Sequence, residues 1–316
     1  MASARTSGIK IGDYWPALVF VGLLLLDIAL KRRFTGLDLR SLCTAAIPLA
    51  LVAMGQFLVV LGRGVDLSLG PIASVAGVMM ATTVTDHPAL GLAGPIAVGA
   101  IAGLFNGLLV ARLGLPPIIV TLATMSIWQG VALVILPDPG GAIPEGLQVA
   151  LTGGFSYPLV GLVELAFCGV AVGWLLSTRF GLHLRAVGGD ELAARMSGVR
   201  VRNVKTAAYT LGGMLAALGG MYFATTTNTG TPTGGDSFIL TSIAAVVIGG
   251  VPLGGGRGTA LGVVMGALVL TITGSLLYFA DVSSFYQSLI DGVILLVVVG
   301  SGAARDWIRG LVLVRP

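Results

Sequence analysis

The residues that could do chemistry are few and lie far apart in the chain. The two histidines, His87 and His183, fall in different predicted connections and cannot share a catalytic or zinc site. The three lysines are Lys10, Lys31 and Lys205, and none follows a glycine. A phosphate-binding loop needs Gly-Lys followed by Ser or Thr, so ATP hydrolysis by this chain is excluded. The sequence therefore predicts no catalytic residue and no metal site, and it favours transport over enzyme activity.

The composition indicates whether water or lipid surrounds most of the chain. The 316 residues include 18 Lys plus Arg and 14 Asp plus Glu, so 10% are charged and 55% are hydrophobic. Ordinary globular domains are about 25% charged. The mean hydropathy is +0.97. These values argue against a soluble enzyme, a disordered chain and a disulfide scaffold, and the scattered basic residues argue against a nucleic-acid partner. They predict an all-α, polytopic membrane helix bundle.

Apolar windows of about 20 residues predict about ten membrane-spanning helices. We expect them to form one transmembrane domain over residues 1–316, with a charged connection at 178–205. The predicted spans are 15–30, 44–61, 67–85, 90–111, 116–136, 158–177, 206–224, 237–250, 258–277 and 284–301.

Basic residues in the connections predict the orientation of the bundle. Placing 178–205 in the cytoplasm puts both termini and fourteen of the 18 basic residues on that side. The block from Lys31 to Arg33, together with Arg40, disagrees because it follows the first span. Either these side chains reach the outer interface, or the first span is miscounted.

Glycines recur every four residues in two of the predicted spans. Small residues on one helix face allow backbones to approach closely, so these positions predict helix-packing seams, with a glycine-lined pore as the alternative. The repeats are Gly99, Gly103, Gly107 and Gly258, Gly262, Gly266.

The connection at 178–205 predicts a short helix that lies off the bilayer. Gly188-Gly189 is expected to break the chain, Asp190 can cap the helix, and Gly198 can end it in the left-handed conformation. The small side chains of Ala193 and Ala194 would let this helix seat in a partner's groove. The alternative is an amphipathic interfacial helix without a partner.

Three segments carry a resemblance to a known family. Residues 189–198 (GDELAARMSG) look like the coupling loop of ATP-binding-cassette importer permeases, specifically the ribose-type sugar permeases. Residues 62–70 (GRGVDLSLG) are similar to a signature of that family, although Arg63 stands where Ser or Gly is commoner. Residues 243–262 give the third match.

The resemblance implies a type II importer-like permease in a bacterial inner membrane. It implies a second permease chain, two ATPase subunits that hold ATP and Mg, and a periplasmic sugar-binding protein, with no cofactor in this chain. The resemblance also implies two groups of site residues. The coupling residues are Asp190, Glu191, Ala193, Ala194, Arg195, Ser197 and Gly198, and the signature residues are Gly64, Asp66, Ser68 and Gly70. In Asp66-Leu67-Ser68, Asp66 is expected to cap the third span.

The scarcity of charge within the spans favours a neutral cargo, a monosaccharide. The polar side chains expected to line its pathway are Gln56, Asn106, Thr121, Thr124 and Gln129. Alternatively, Gln56 and Asn106 bond between helices. A furanose signal, a nucleoside or a branched amino acid is a neighbouring cargo, and Asp291 leaves an ion-coupled carrier as a further alternative.

Overall fold

The structure is a computed structural model. The structure describes residues 15–31, 35–153 and 159–283, together with six single positions at 286, 289, 290, 292, 293 and 296. Twelve named helices occupy these residues, and the described part of the chain has no β-strand. The helices are α1 (Trp15–Leu30), α2 (Gly36–Leu61), α3 (Leu69–Thr83), α4 (Pro88–Ala111), α5 (Pro117–Ile135), α6 (Glu145–Thr152), α7 (Val160–Ser177), α8 (Arg179–Gly189), α9 (Glu191–Met196), α10 (Val201–Thr227), α11 (Asp236–Ile248) and α12 (Ala260–Phe279).

Nine of the ten predicted spans coincide with helices, and the tenth, 284–301, lies mostly outside the described residues. Within those residues six helices, α2, α4, α5, α7, α10 and α12, are long and apolar enough to cross a membrane. The apolar helices α1, α3 and α11 are shorter. The all-α membrane bundle is confirmed, whereas the count of about ten spans is not. Helix α2 begins at Gly36 rather than at residue 44, because the Asp38 carboxylate accepts a 2.8 Å hydrogen bond from the Thr35 backbone N–H and starts the helix there.

Helices α2, α3 and α10 form the centre of the bundle. In α2, 83% of the most apolar 18-residue window is buried, against 22% in α5 and 33% in α4 and α7. The outer helices carry large exposed apolar side chains, such as Phe105, Ile119 and Phe167. Apolar surface of this extent is typical of helices that face lipid.

The glycine repeat of α4 forms a close seam with α10, as its spacing predicts. A methyl group on Gly99 would collide with the backbone of Gly213, and one on Gly103 would collide with the carbonyl oxygen of Tyr209. The second repeat behaves differently at its first member. Gly262 and Gly266 pack against α11, but Gly258 precedes α12 in an extended turn with φ of +141°. The predicted three-residue seam there is therefore reduced to two residues.

Lys31 is packed inside one end of the bundle. Its ammonium group pairs with the Asp27 carboxylate at 2.9 Å and donates to the hydroxyl of Ser275 at 3.3 Å. It also lies 4.3 Å from the centre of the Phe279 ring. Lys31 therefore fixes α1 to α12. Its side chain is thus held in contacts within the bundle, so neither of the two explanations for this basic block is needed for Lys31. Residues 32–34 lie outside the described residues.

Candidate functional site

The predicted short helix in the connection is α9, Glu191–Met196. The Asp190 carboxylate accepts a 3.0 Å hydrogen bond from the Ala193 backbone N–H, which confirms the predicted cap. Gly198 has φ of +83°, which confirms the left-handed end. The predicted break at Gly188-Gly189 is wrong, because both residues form the last turn of α8 and the chain turns at Asp190. Gly188 packs so closely on Leu61 and Gly256 that a side chain would not fit there, which explains the glycine.

The surface of α9 differs from the prediction in one residue. Leu192 and Met196 are 68% and 83% exposed, whereas Ala194 is only 4% exposed. Ala194 therefore packs against this chain rather than towards a partner, and of the two alanines only Ala193 lies on the open face. Glu191 is held by α10, because its carboxylate pairs with the ammonium group of Lys205 at 2.5 Å.

The signature loop between α2 and α3 is folded around the carboxylate of Asp66. Asp66 Oδ1 accepts hydrogen bonds from the Ser68 backbone N–H (2.9 Å) and hydroxyl (2.6 Å). Asn106 of α4 donates to Asp66 Oδ2 (3.3 Å) and to the Ser68 hydroxyl (2.8 Å). Burial raises the pKa of the Asp66 carboxyl, while the hydrogen bonds from Ser68 and Asn106 lower it. The predicted capping of α3 by Asp66 is wrong, because its carboxylate accepts from Ser68, the residue before α3, and not from an N–H group within the helix. Asp66 is instead the centre of a polar cluster.

Two of the three glycines in the signature segment, residues 62–70, mark close approaches to other helices. A methyl group on Gly64 would lie 2.5 Å from the Tyr209 hydroxyl oxygen, and one on Gly70 would lie 2.5 Å from the Gly235 carbonyl oxygen. The loop therefore packs directly against α10 and against the turn before α11.

Three of the five predicted pathway residues, Gln56, Asn106 and Thr121, bond to the same loop. When its amide is oriented to satisfy both groups, Gln56 donates to the Asp66 carbonyl oxygen (2.9 Å) and accepts from the Asp66 N–H (3.3 Å). The Thr121 hydroxyl donates to the Val65 carbonyl oxygen at 3.4 Å. Thr124 is buried, and its hydroxyl bonds within α5 to the Thr121 carbonyl oxygen. Gln56 and Asn106 thus tie α2 and α4 to the loop between α2 and α3.

The fifth predicted pathway residue lies apart from the signature loop. The Gln129 amide donates to the Pro232 carbonyl oxygen at 3.1 Å. Its other amide atom, Oε1, is buried without a hydrogen-bond partner in the described part of the chain. The lining of a pathway by these side chains stays a prediction.

The three segments that carried the family resemblance meet at Arg63. Its guanidinium group donates to the carbonyl oxygens of Gly188 (2.8 Å) and Gly254 (3.1 Å), and also to that of Gly189. The backbone N–H of Gly256 donates to the carbonyl oxygen of Leu61 at 3.0 Å, which adds a direct backbone contact. We call these residues, Leu61, Arg63, Gly188, Gly189, Gly254 and Gly256, the Arg63 cluster.

Sequence reasoning missed the role of Arg63. It identified the residue only as a departure from a family pattern. The available signal was its place directly after a predicted span, where a residue in the left-handed conformation often ends a helix. Arg63 adopts this conformation, with φ of +64°.

A basic groove opens beside α9. It has a volume of about 550 Å³ and is lined by Arg63, Arg112, Arg195, Arg202, Lys205 and one acidic residue, Glu191. A surface of this charge is suited to an acidic partner. Among the residues that the structure describes, no cluster of three or more His, Cys, Asp or Glu side chains could hold a metal ion.

Comparison with known proteins identifies a family of transport permeases. Residues 39–299 match the family described as "Branched-chain amino acid transport system / permease component". The chain is 36% identical over 259 residues to the ribose import permease protein RbsC of Bacillus subtilis, with 79% of each chain covered. It is 34% identical over 264 residues to RbsC of Escherichia coli K12, covering 79% of this chain and 80% of the relative.

A second group of relatives has a different named cargo. The chain is 36% identical over 266 residues to the autoinducer 2 import system permease protein LsrC of Klebsiella pneumoniae, covering 82% of this chain and 76% of the relative. No solved structure gives a significant match. The match over most of the chain and these identities confirm the resemblance seen in the three segments, and the chain belongs to this family of importer permease components.

Proposed function

We propose that this chain is the permease subunit of an ATP-driven importer for a neutral monosaccharide. We define the coupling segment as α8 and α9, residues 179–196. The observation that carries the proposal is that this segment, the signature loop and the turn between α11 and α12 all meet at Arg63. Relatives that are named ribose import permeases support the cargo class.

The proposed docking surface for the ATPase is the open face of α9 and the basic groove beside it. Leu192 and Met196 are exposed and supply apolar contacts, and the groove supplies positive charge. ATP and Mg would be held by the ATPase subunits. A second permease chain would complete the pathway, and a periplasmic binding protein would deliver the sugar to its outer mouth.

The proposed setting is a bacterial inner membrane, with both termini in the cytoplasm. Six helices that could span a membrane, three shorter apolar helices and the predicted span at 284–301 together support about ten crossings in one permease domain. This count agrees with a type II importer-like permease. The coupling segment and the Arg63 cluster then lie at the cytoplasmic face.

A furanose signal is the second candidate cargo, because relatives named autoinducer 2 import permeases match equally well. The alternative of an ion-coupled carrier rested on Asp291, which lies outside the described residues.

Reconstitution in sealed vesicles tests the proposed function. The chain, with its ATPase and binding protein, should import sugar only when ATP is supplied on the ATPase side. Glu191→Lys should lower uptake about tenfold or more, because it replaces the ion pair with Lys205 by two like charges and so releases α9 from α10. Glu145→Lys is the control, since Glu145 is likewise the first residue of a helix but is exposed and lies on the side predicted to be outer. Uptake by the permease without any ATPase would overturn the proposal.

A further inference from the structure

Arg63 holds the end of the helix that leads into α9. The last carbonyl groups of a helix have no partner within the helix and need other donors. Gly188 and Gly189 are the last two residues of α8, and the Arg63 guanidinium group donates to both carbonyl oxygens. A cation at this position also interacts favourably with the helix dipole. Arg63 therefore caps α8 from a different part of the chain.

The same guanidinium group reaches a third segment. Its Nε atom also donates to the carbonyl oxygen of Gly254, which lies in the turn between α11 and α12. Arg63 itself follows directly after the last turn of α2. One side chain therefore joins the inner end of α2, the end of α8 and the turn that leads into α12.

The backbone at Arg63 adopts a conformation that normally favours glycine. Its φ of +64° lies in the left-handed region, which is unfavourable for a residue with a Cβ atom. The N–H groups of Arg63 and Gly64 donate to the carbonyl oxygens of Val60 and Val59 and so end α2. Glycine would make the same turn with less strain, so what Arg63 adds is its side chain.

Glu191 anchors the start of α9, just after the Arg63 contacts. Its carboxylate pairs with Lys205 of α10, so α9 is held by an ion pair to one membrane helix. The connection to α2 and to the turn before α12 has no carboxylate partner in the described residues. It runs through carbonyl oxygens that accept from Arg63, and Arg185 of α8 adds a 3.2 Å hydrogen bond to the Gly258 carbonyl oxygen. A movement of α8 and α9 reaches α2 and α12 through these contacts.

We propose that Arg63 is a positioning residue that makes the coupling segment move together with the inner ends of α2 and α12. The inference rests on the proposed function, because it assigns Arg63 to the step that passes movement from the ATPase to the pathway. An arginine suits this role because its planar guanidinium group can donate to several carbonyl oxygens at once, which a lysine ammonium group does not reproduce.

The test measures ATP hydrolysed per sugar imported in the reconstituted transporter. Arg63→Gly keeps the left-handed turn, relieves its strain and removes all three side-chain contacts. We expect this ratio to rise about fivefold or more, while the assembled complex keeps its wild-type melting temperature within a few degrees. Arg63→Lys should give an intermediate ratio. The control is Arg200→Ala, an exposed arginine outside the coupling segment that makes no side-chain hydrogen bond to the described residues.

The possible outcomes separate the two proposals. If wild-type transporter shows no ATP-driven uptake, the proposed function fails. If wild-type transporter works and Arg63→Gly has an unchanged ratio, or the same ratio as Arg200→Ala, the role of Arg63 is overturned. If the Arg63 variants do not assemble, amide exchange of the wild-type complex decides. Binding of a non-hydrolysable ATP analogue should then change exchange at α9 and at the Gly256 amide together, and a change confined to α9 would refute the proposal.

Discussion

The α4–α10 seam and the Arg63 cluster join helices in two different ways. In the seam, Gly99 and Gly103 let the backbones of α4 and α10 touch directly, and no side chain lies between them. In the Arg63 cluster, Gly188 also packs directly on Leu61 and Gly256, but Gly189 and Gly254 are joined to α2 through one long, exposed side chain that donates to their carbonyl oxygens.

This difference indicates which part of the permease can move. Separating the seam would open voids along two closely packed backbones, which protein interiors do not tolerate. The carbonyl groups at Arg63 can exchange their bonds with water, and each such bond has a net value of about 0.5–1.5 kcal/mol. We therefore expect the seam to remain fixed during transport and the Arg63 cluster to pass on movement.

Breaking the seam should have the largest effect. Gly103→Leu places a side chain where even a methyl group would collide with the Tyr209 carbonyl oxygen. We expect the free energy of unfolding to fall by about 3 kcal/mol or more, and the purified protein to aggregate in size-exclusion chromatography. Gly130→Leu is the matched control on α5, because a methyl group there meets nothing within 4 Å. A Gly103→Leu protein as stable as Gly130→Leu would contradict the rigid seam.

The polar cluster around Asp66 lies between the two regions, and its loss should have an intermediate effect. Asp66→Ala leaves the Ser68 backbone N–H buried without its acceptor and leaves the Asn106 amide with the Ser68 hydroxyl as its one remaining acceptor among the described residues. Each unsatisfied buried group costs about 1–3 kcal/mol, so the melting temperature should fall clearly. Asp86→Ala removes an exposed aspartate and should leave the melting temperature unchanged. Equal melting temperatures for the two variants would show that Asp66 does not hold the loop.

Loss of the α9 cap should have the smallest effect on stability. Asp190→Ala removes the acceptor for the Ala193 N–H, which is worth about 1 kcal/mol at a helix start. Amide exchange within α9 should become faster, while exchange in α4 and α10 stays as in the wild type. Asp190→Asn keeps a good capping side chain and should restore slow exchange. Faster exchange throughout the bundle would show that α9 is not an independent element.

The sequence predicts the parts of this fold that depend on local pattern. The spans follow from runs of apolar residues, the α4 seam from glycines at a spacing of four, and the start and end of α9 from Asp190 and Gly198. Each of these features is contained within about 20 consecutive residues or fewer.

The features that the sequence did not predict depend on residues far apart in the chain. Arg63 bonds to carbonyl groups 125 and 191 positions away. Lys31 bonds to Ser275, 244 positions away, and this contact accounts for its place in the bundle. Ala194 is buried because α9 packs back onto its own chain. No local pattern in the sequence carries this information, because it arises only when the helices pack.

The most direct test of the account is a cross-link within the Arg63 cluster. Gly189→Cys and Gly254→Cys place thiols at two exposed positions whose carbonyl oxygens both accept from Arg63, in a background where Cys43 and Cys168 are replaced by alanine. Neither glycine has an atom within 4 Å of where its Cβ would lie, so both cysteines fit. As a control, Gly189→Cys with Gly130→Cys should not react, since Gly130 lies roughly 20 Å along α5 from its first residue.

The cross-link then reports on movement during transport. We predict that a short bifunctional thiol reagent joins the first pair and that ATP-driven uptake continues at close to the uncross-linked rate, because the coupling segment and the turn before α12 move together. A pair that does not react, or a cross-link that stops uptake while the ATPase still binds, would contradict the account.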